Sequence, residues 1–147
     1  MRISVPLEKA HLGLVALLII AAVPGHALAQ AAVSPAAVVA GQLATPGNSI
    51  VSVSDYTSAT DPEFLLGAPG QYIAKAHFTD STGIVGDVEV FANARDERTR
   101  ARGLSGAVAA GQEVDVEQGT VLVRFYGLVG DGQAYRDALT RAVSVSN

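Results

Sequence analysis

A two-residue alternation of apolar and polar side chains, present twice and followed each time by a helical pattern, constrains this chain more than any other feature. Tyr72, Ala74, Ala76 and Phe78 alternate with Ile73, Lys75, His77 and Thr79, and Val88, Val90 and Ala92 alternate with Asp87, Glu89 and Phe91. Successive side chains of a strand point to opposite faces, so these runs predict a hairpin turned by Asp80-Ser81-Thr82-Gly83. Asn93 stands where a helix N-cap belongs, with Asp96 and Glu97 in the first turn, and predicts a helix over residues 94–102. Gly103 and Gly106 leave open whether it runs on to residue 110.

The order then repeats. Val114 and Val116 alternate with Glu113, Asp115 and Glu117, Gln118-Gly119 offers a two-residue turn, and Val121, Val123 and Phe125 alternate with Leu122, Arg124 and Tyr126. That turn would pair Val116 with Val121 and Val114 with Val123, and set Glu113 across from Arg124. A second helix is predicted over residues 133–143, with Ala134, Tyr135, Ala138, Leu139 and Ala142 on its apolar stripe. Two β-β-α units most simply give an α+β fold: an antiparallel four-stranded sheet with both helices on one face. The other face would carry Ile73, Lys75, His77, Glu89, Phe91, Glu113, Leu122, Arg124 and Tyr126.

The N-terminal residues carry an address. Arg2 and Lys9 precede an unbroken apolar run over residues 12–23, Pro24-Gly25 breaks it, and Ala27-Leu28-Ala29 offers small residues at the positions a signal peptidase recognises. Residues 1–29 are therefore expected to be a signal peptide and the protein to be secreted, extracellular or in the cell envelope. The alternative is an uncleaved anchor, but 12 apolar residues fall short of the roughly 20 that a span needs. Residues 30–49 hold Ala, Val, Gly and Pro with no charge and are expected to be a flexible linker, leaving a single domain over residues 50–147. A further strand at residues 50–53 is left open.

Removing Arg2, Lys9 and Glu8 leaves 8 basic and 13 acidic residues, a net charge of −5, which argues against a nucleic-acid partner. With no cysteine there is no disulfide, thiolate nucleophile or thiolate-bound metal, and no cofactor or metal is expected. His77 is the one histidine outside residues 1–29, so any mechanism that needs an imidazole must use it. No Gly-x-Ser-x-Gly elbow accompanies it. Asp80-Ser81-Thr82-Gly83 differs by one residue from the turn of an aspartic protease and has no second copy, so a hairpin turn accounts for it. Glu113, Asp115 and Glu117 suit a charged edge strand. Arg95, Arg98, Arg100 and Arg102 form a basic stripe that Asp96, four residues before Arg100, partly neutralises. In residues 61–72, three bulky apolar side chains before Gly67-Ala68-Pro69-Gly70 suit a loop that tucks its own side chains under the sheet.

Three stretches carry a resemblance: Leu65-Leu66-Gly67-Ala68-Pro69-Gly70-Gln71-Tyr72, Gly86-Asp87-Val88-Glu89-Val90-Phe91-Ala92-Asn93, and Gly119-Thr120-Val121-Leu122-Val123-Arg124. They resemble a group of uncharacterised bacterial exported proteins, many of them lipoproteins, over about residues 56–139. Ala68 stands where that group has arginine, and there is no lipobox cysteine, so the resemblance implies release rather than lipid anchoring. It brings no activity with it. The expectation is a non-catalytic domain that binds an extracellular or envelope partner or a small ligand through Lys75, His77, Phe91, Leu122, Arg124 and Tyr126, on a sheet face left uncovered by helices. The rival expectation is a small secreted hydrolase or metal-dependent enzyme using His77.

Overall fold

The hairpin pattern resolves into strands β2 (Tyr72–Asp80) and β3 (Val85–Phe91), and β4 (Glu113–Gln118) and β5 (Val121–Tyr126). The computed structural model describes residues 32–127 and 132–145. Over these the chain is α+β, with one five-stranded antiparallel sheet and three helices, in place of the expected four strands and two helices. The fifth strand is β1 (Ile50–Asp55), and the sheet order is β1-β2-β3-β5-β4. The helices are α1 (Pro35–Gly41), α2 (Ala94–Ala109) and α3 (Gln133–Val145). The expected signal peptide lies outside the described residues.

One sheet face is apolar as the alternation predicts. Ala74, Ala76, Phe78, Val88, Val116, Val121, Val123 and Phe125 are buried there with Tyr135, Leu139 and Ala142 of α3. Phe125 bridges sheet and helix, its ring 5.6 Å from Phe78 and 4.4 Å from Tyr135. The Tyr135 hydroxyl donates to Asp80, whose other oxygen accepts from the amides of Thr82 and Ile84 and so closes the β2–β3 turn.

The expected linker is structured over part of its length. Ser34 caps α1 by accepting from the Ala37 amide, Pro35 opens the helix, and Ala36, Val39, Ala40 and Leu43 are buried in the same core. Ala74 and Ala76 are small enough for α1 to close on β2. The absence of charge over residues 30–49 thus marks, at residues 36–43, chain that enters the core.

Three details depart from the sequence expectation. The β4–β5 register pairs Val116 with Val123, Val114 with Phe125 and Asp115 with Arg124, because the turn is Gly119-Thr120 and Gly119 supplies a φ of +65°. A slip of two residues preserves every face assignment, so the core is unchanged. A bulge between Tyr72 and Ala74 moves Tyr72 to the face opposite Ala74. Most consequentially, α2 runs on to Ala109 and lies on the other face from α3, where Ala101 and Leu104 pack with Tyr72, Phe91 and Leu122. The expectation of both helices on one face fails because those three apolar side chains also need cover.

Candidate functional site

The face beneath α2 holds a cluster of ionised side chains, and it contains all six residues expected to bind. Lys75 on β2, Glu89 on β3 and Arg124 on β5 sit on three neighbouring central strands; Glu89 is the cross-strand partner of Lys75 and, on its other side, of Leu122. Lys75 is 1% exposed, and its Nζ lies 3.2 Å from Asp61, 2.7 Å from Glu63, 3.4 Å from Asp87 and 3.7 Å from Glu89. Arg124 reaches Glu89 at 3.2 Å, Glu63 at 3.1 Å and Glu113 at 2.8 Å. From above, Arg100 of α2 closes on Glu89 and Glu63. Arg100 therefore serves the buried cluster, while Asp96 turns instead to the Asn93 side chain at the N-cap.

Asp61 ties the preceding loop to this cluster. One of its oxygens accepts from the amides of Leu65 (2.8 Å) and Leu66 (3.0 Å) and from the Tyr72 hydroxyl (2.7 Å). Burial pushes the Asp61 carboxyl up, but these donors and Lys75 outweigh it and hold it at about 2. Glu63 is likewise held at about 2, burial again being outweighed, here by Lys75 and Arg100. The Lys75 ammonium shifts upward: burial opposes its charge, and Glu63, Asp87 and Glu89 more than restore it.

The loop does not tuck all three bulky side chains under the sheet. Leu65 and Leu66 pack against Tyr72, Phe91 and Leu122, but Phe64 is 78% exposed and adopts a φ of +57°. A bulky side chain in the left-handed region is held there by its surroundings. The Phe64 amide donates to the Asp61 carbonyl, and the next two amides are taken by the Asp61 carboxylate.

Of the six expected binding residues, Lys75, Phe91, Leu122 and Arg124 are buried, because α2 and the loop after β1 cover the face. His77 and Tyr126 retain partial exposure. His77 Nδ1 lies 2.9 Å from one oxygen of Asp87, and the Tyr126 hydroxyl donates to the other at 3.1 Å. Ser54 on β1 is the direct cross-strand neighbour of His77, as Asp87 is on the other side. Two hollows lie elsewhere: one of about 360 Å³ lined by Pro35, Val38, Val39, Val90, Thr120, Val121 and Val143, and one of about 310 Å³ lined by Arg98, Ala101, Arg102, Ser105 and Glu117. Among the described residues no group of three or more histidine, aspartate or glutamate side chains is placed to hold a metal ion.

Sequence reasoning put Lys75, Glu89 and Arg124 on one face but took that face for surface. Asp61, Glu63, Asp87 and Arg100 complete the cluster, and Phe64 was missed as an exposed side chain. The available signal was opposite charge at facing positions on central strands, which only a covered face makes costly.

Two carboxyls near α2 behave in the opposite sense to Asp61. Glu97 is 2% exposed with Oε1 unpartnered; burial and the adjacent Glu117 push it up to about 7, with Arg98 opposing. Asp115, both of whose oxygens are buried without a hydrogen-bond partner, is pushed up to about 7 by burial and then by Glu113, Arg124 opposing. A carboxyl raised on folding contributes most below its unfolded value and loses that contribution as pH rises through its folded value. Stability should therefore fall between about pH 4 and 8, and Glu97→Gln should raise it by about 2 kcal/mol at pH 8 while changing little at pH 5. Urea unfolding at the two pH values measures both. Neither a protein-family model nor a curated protein nor a solved structure matches this chain.

Proposed function

We propose that this is a small exported, non-catalytic domain that binds an extracellular or cell-envelope partner, with Phe64 as the anchor of the contact. The observation that carries this reading is Phe64 itself: a large apolar side chain, 78% exposed, on a backbone at φ +57° that the Asp61 hydrogen bonds keep in place. Aromatic side chains presented on a rigid support lose little freedom on binding and dominate contact energies. The buried ion cluster then has a mechanical role, fastening the loop through Asp61 and Glu63 to Lys75, Arg100 and Arg124. His77 and Tyr126 supply polar and aromatic contact area on the same side of the sheet. The leader pattern and the resemblance to exported bacterial proteins support export.

Phe64→Gly separates binding from folding, because glycine adopts positive φ without strain. The variant should fold with unchanged or slightly greater stability, yet lose the species that the wild-type domain retains from native culture medium. Retention of the same species by both proteins, or of nothing at all, contradicts the proposal.

One observation favours a second reading. Ser54, His77 and Asp87 lie in a row across β1, β2 and β3, with His77 Nδ1 already on Asp87, the order in which a nucleophile, a base and its orienting acid are arranged. A fluorophosphonate probe discriminates: labelling of Ser54 that disappears in His77→Ala supports a hydrolase, whereas an unlabelled protein supports the binding domain.

A further inference from the structure

We propose that two copies of this chain associate edge to edge through β1, merging their sheets into one continuous antiparallel sheet. The two edges of the sheet differ in chemistry. On β4 the acid open to solvent is Glu117, Glu113 being buried on Arg124 and Asp115 half-buried, so a second copy approaching that edge adds carboxyls to ones already crowded. β1 reads Ile-Val-Ser-Val-Ser-Asp, charged only at its last residue, and five of its six residues are exposed. Val51 is 61% exposed and Val53 37%. Val33, one residue before the Ser34 that donates to Asp55 at the end of β1, is 68% exposed. No strand among the described residues pairs with the outer side of β1.

Charge distribution selects a second copy as the occupant. Residues 30–54 carry no charged side chain, and the 13 acidic and 8 basic residues beyond the leader all lie from Asp55 onward. Two copies of a net-negative protein repel over most of their surface and meet without that penalty at this uncharged edge. An antiparallel strand is its own complement about a two-fold axis, so one interface closes the dimer and leaves no growing end. β1 is regular from Ser52 to Asp55, past a bulge between Ile50 and Ser52; its unpaired backbone amides and carbonyls there supply the bonds, with Val51 and Val53 of each copy flanking the contact. This inference is independent of the role given to Phe64, which lies on the loop beyond the strand.

Sedimentation velocity of the full chain across about a thousandfold range of concentration tests it. Wild type should shift from monomer to dimer. Val51→Lys, which brings one ammonium from each copy to the contact, should weaken association at least about tenfold. Val108→Lys, at an exposed apolar position on α2, should leave it unchanged. Amide exchange within residues 51–54 should slow as concentration rises. A monomer throughout, equal association of wild type and Val51→Lys, or protection of residues 51–54 that does not vary with concentration each overturns the proposal, the last by showing that the chain's own residues cover the edge.

Discussion

Lys75→Met should cost about 4 kcal/mol of folding stability at pH 7, enough to leave a domain of this size partly unfolded. The methionine fills nearly the same volume, so the loss is electrostatic. The Lys75 ammonium lies within 4 Å of four carboxylates, and three of them, Asp61, Asp87 and Glu89, are at most 5% exposed. Without the cation these carboxylates repel one another where water cannot screen them. The sign of the pH dependence distinguishes this cause from lost packing. Asp61 and Glu63, held at about 2 with Lys75 present, contribute stability above their unfolded values and lose it as pH falls through their folded values. In the variant both folded values rise, that of Glu63 most because Asp61 keeps the Tyr72, Leu65 and Leu66 donors, so the deficit against wild type should begin to shrink toward pH 4. Urea unfolding from pH 4 to 8 measures it; a deficit that does not vary with pH would assign the effect to packing.

Gly86→Ala should lower stability by about 3 kcal/mol, or roughly 10 °C in Tm, although it adds one methyl group to a strand. A Cβ at Gly86 would lie 2.5 Å from the Arg124 carbonyl oxygen and 2.7 Å from Phe78 Cζ. The carbonyl belongs to β5, paired with β3 along its length, and the Phe78 ring is fully buried against Phe125. Neither can retreat without opening the core. Phe78→Leu in the same chain relieves the ring contact but not the carbonyl, so the double variant should recover only part of the loss. Full recovery would place the strain on the ring alone.

The sheet was legible because period-two alternation is a local property: the face of Ala76, Phe78, Val88, Val116 and Val123 follows from it whatever the register. The register of β4 and β5 was not, since Gln118-Gly119 and Gly119-Thr120 both make acceptable two-residue turns and differ by a slip that leaves the faces intact. The side taken by α2 depended on whether Phe91 and Leu122 are covered, a tertiary question that the ambiguous mixture of apolar and charged residues on that face does not answer. α1 was read as linker because its composition, Ala, Val and Gly between Pro35 and Gly41, is shared by tethers and by short helices that pack closely on a sheet. The ion cluster was half visible: Lys75, Glu89 and Arg124 alternate correctly, but Asp61 and Glu63 reach them from a loop, and no local pattern predicts where a loop folds back. Phe64 was hidden for the same reason, its direction being set by hydrogen bonds to Asp61.

The charged face of this sheet is closed over Lys75 and holds the loop in place through Asp61 and Glu63. Lys75 reports on it directly, because the chain has only one other lysine, Lys9. Reductive methylation with formaldehyde, mapped by mass spectrometry, should leave Lys75 unmodified in the native protein and modify it fully once the chain is unfolded in denaturant. Rapid native methylation of Lys75 would mean that small molecules reach the cluster and that the face is open.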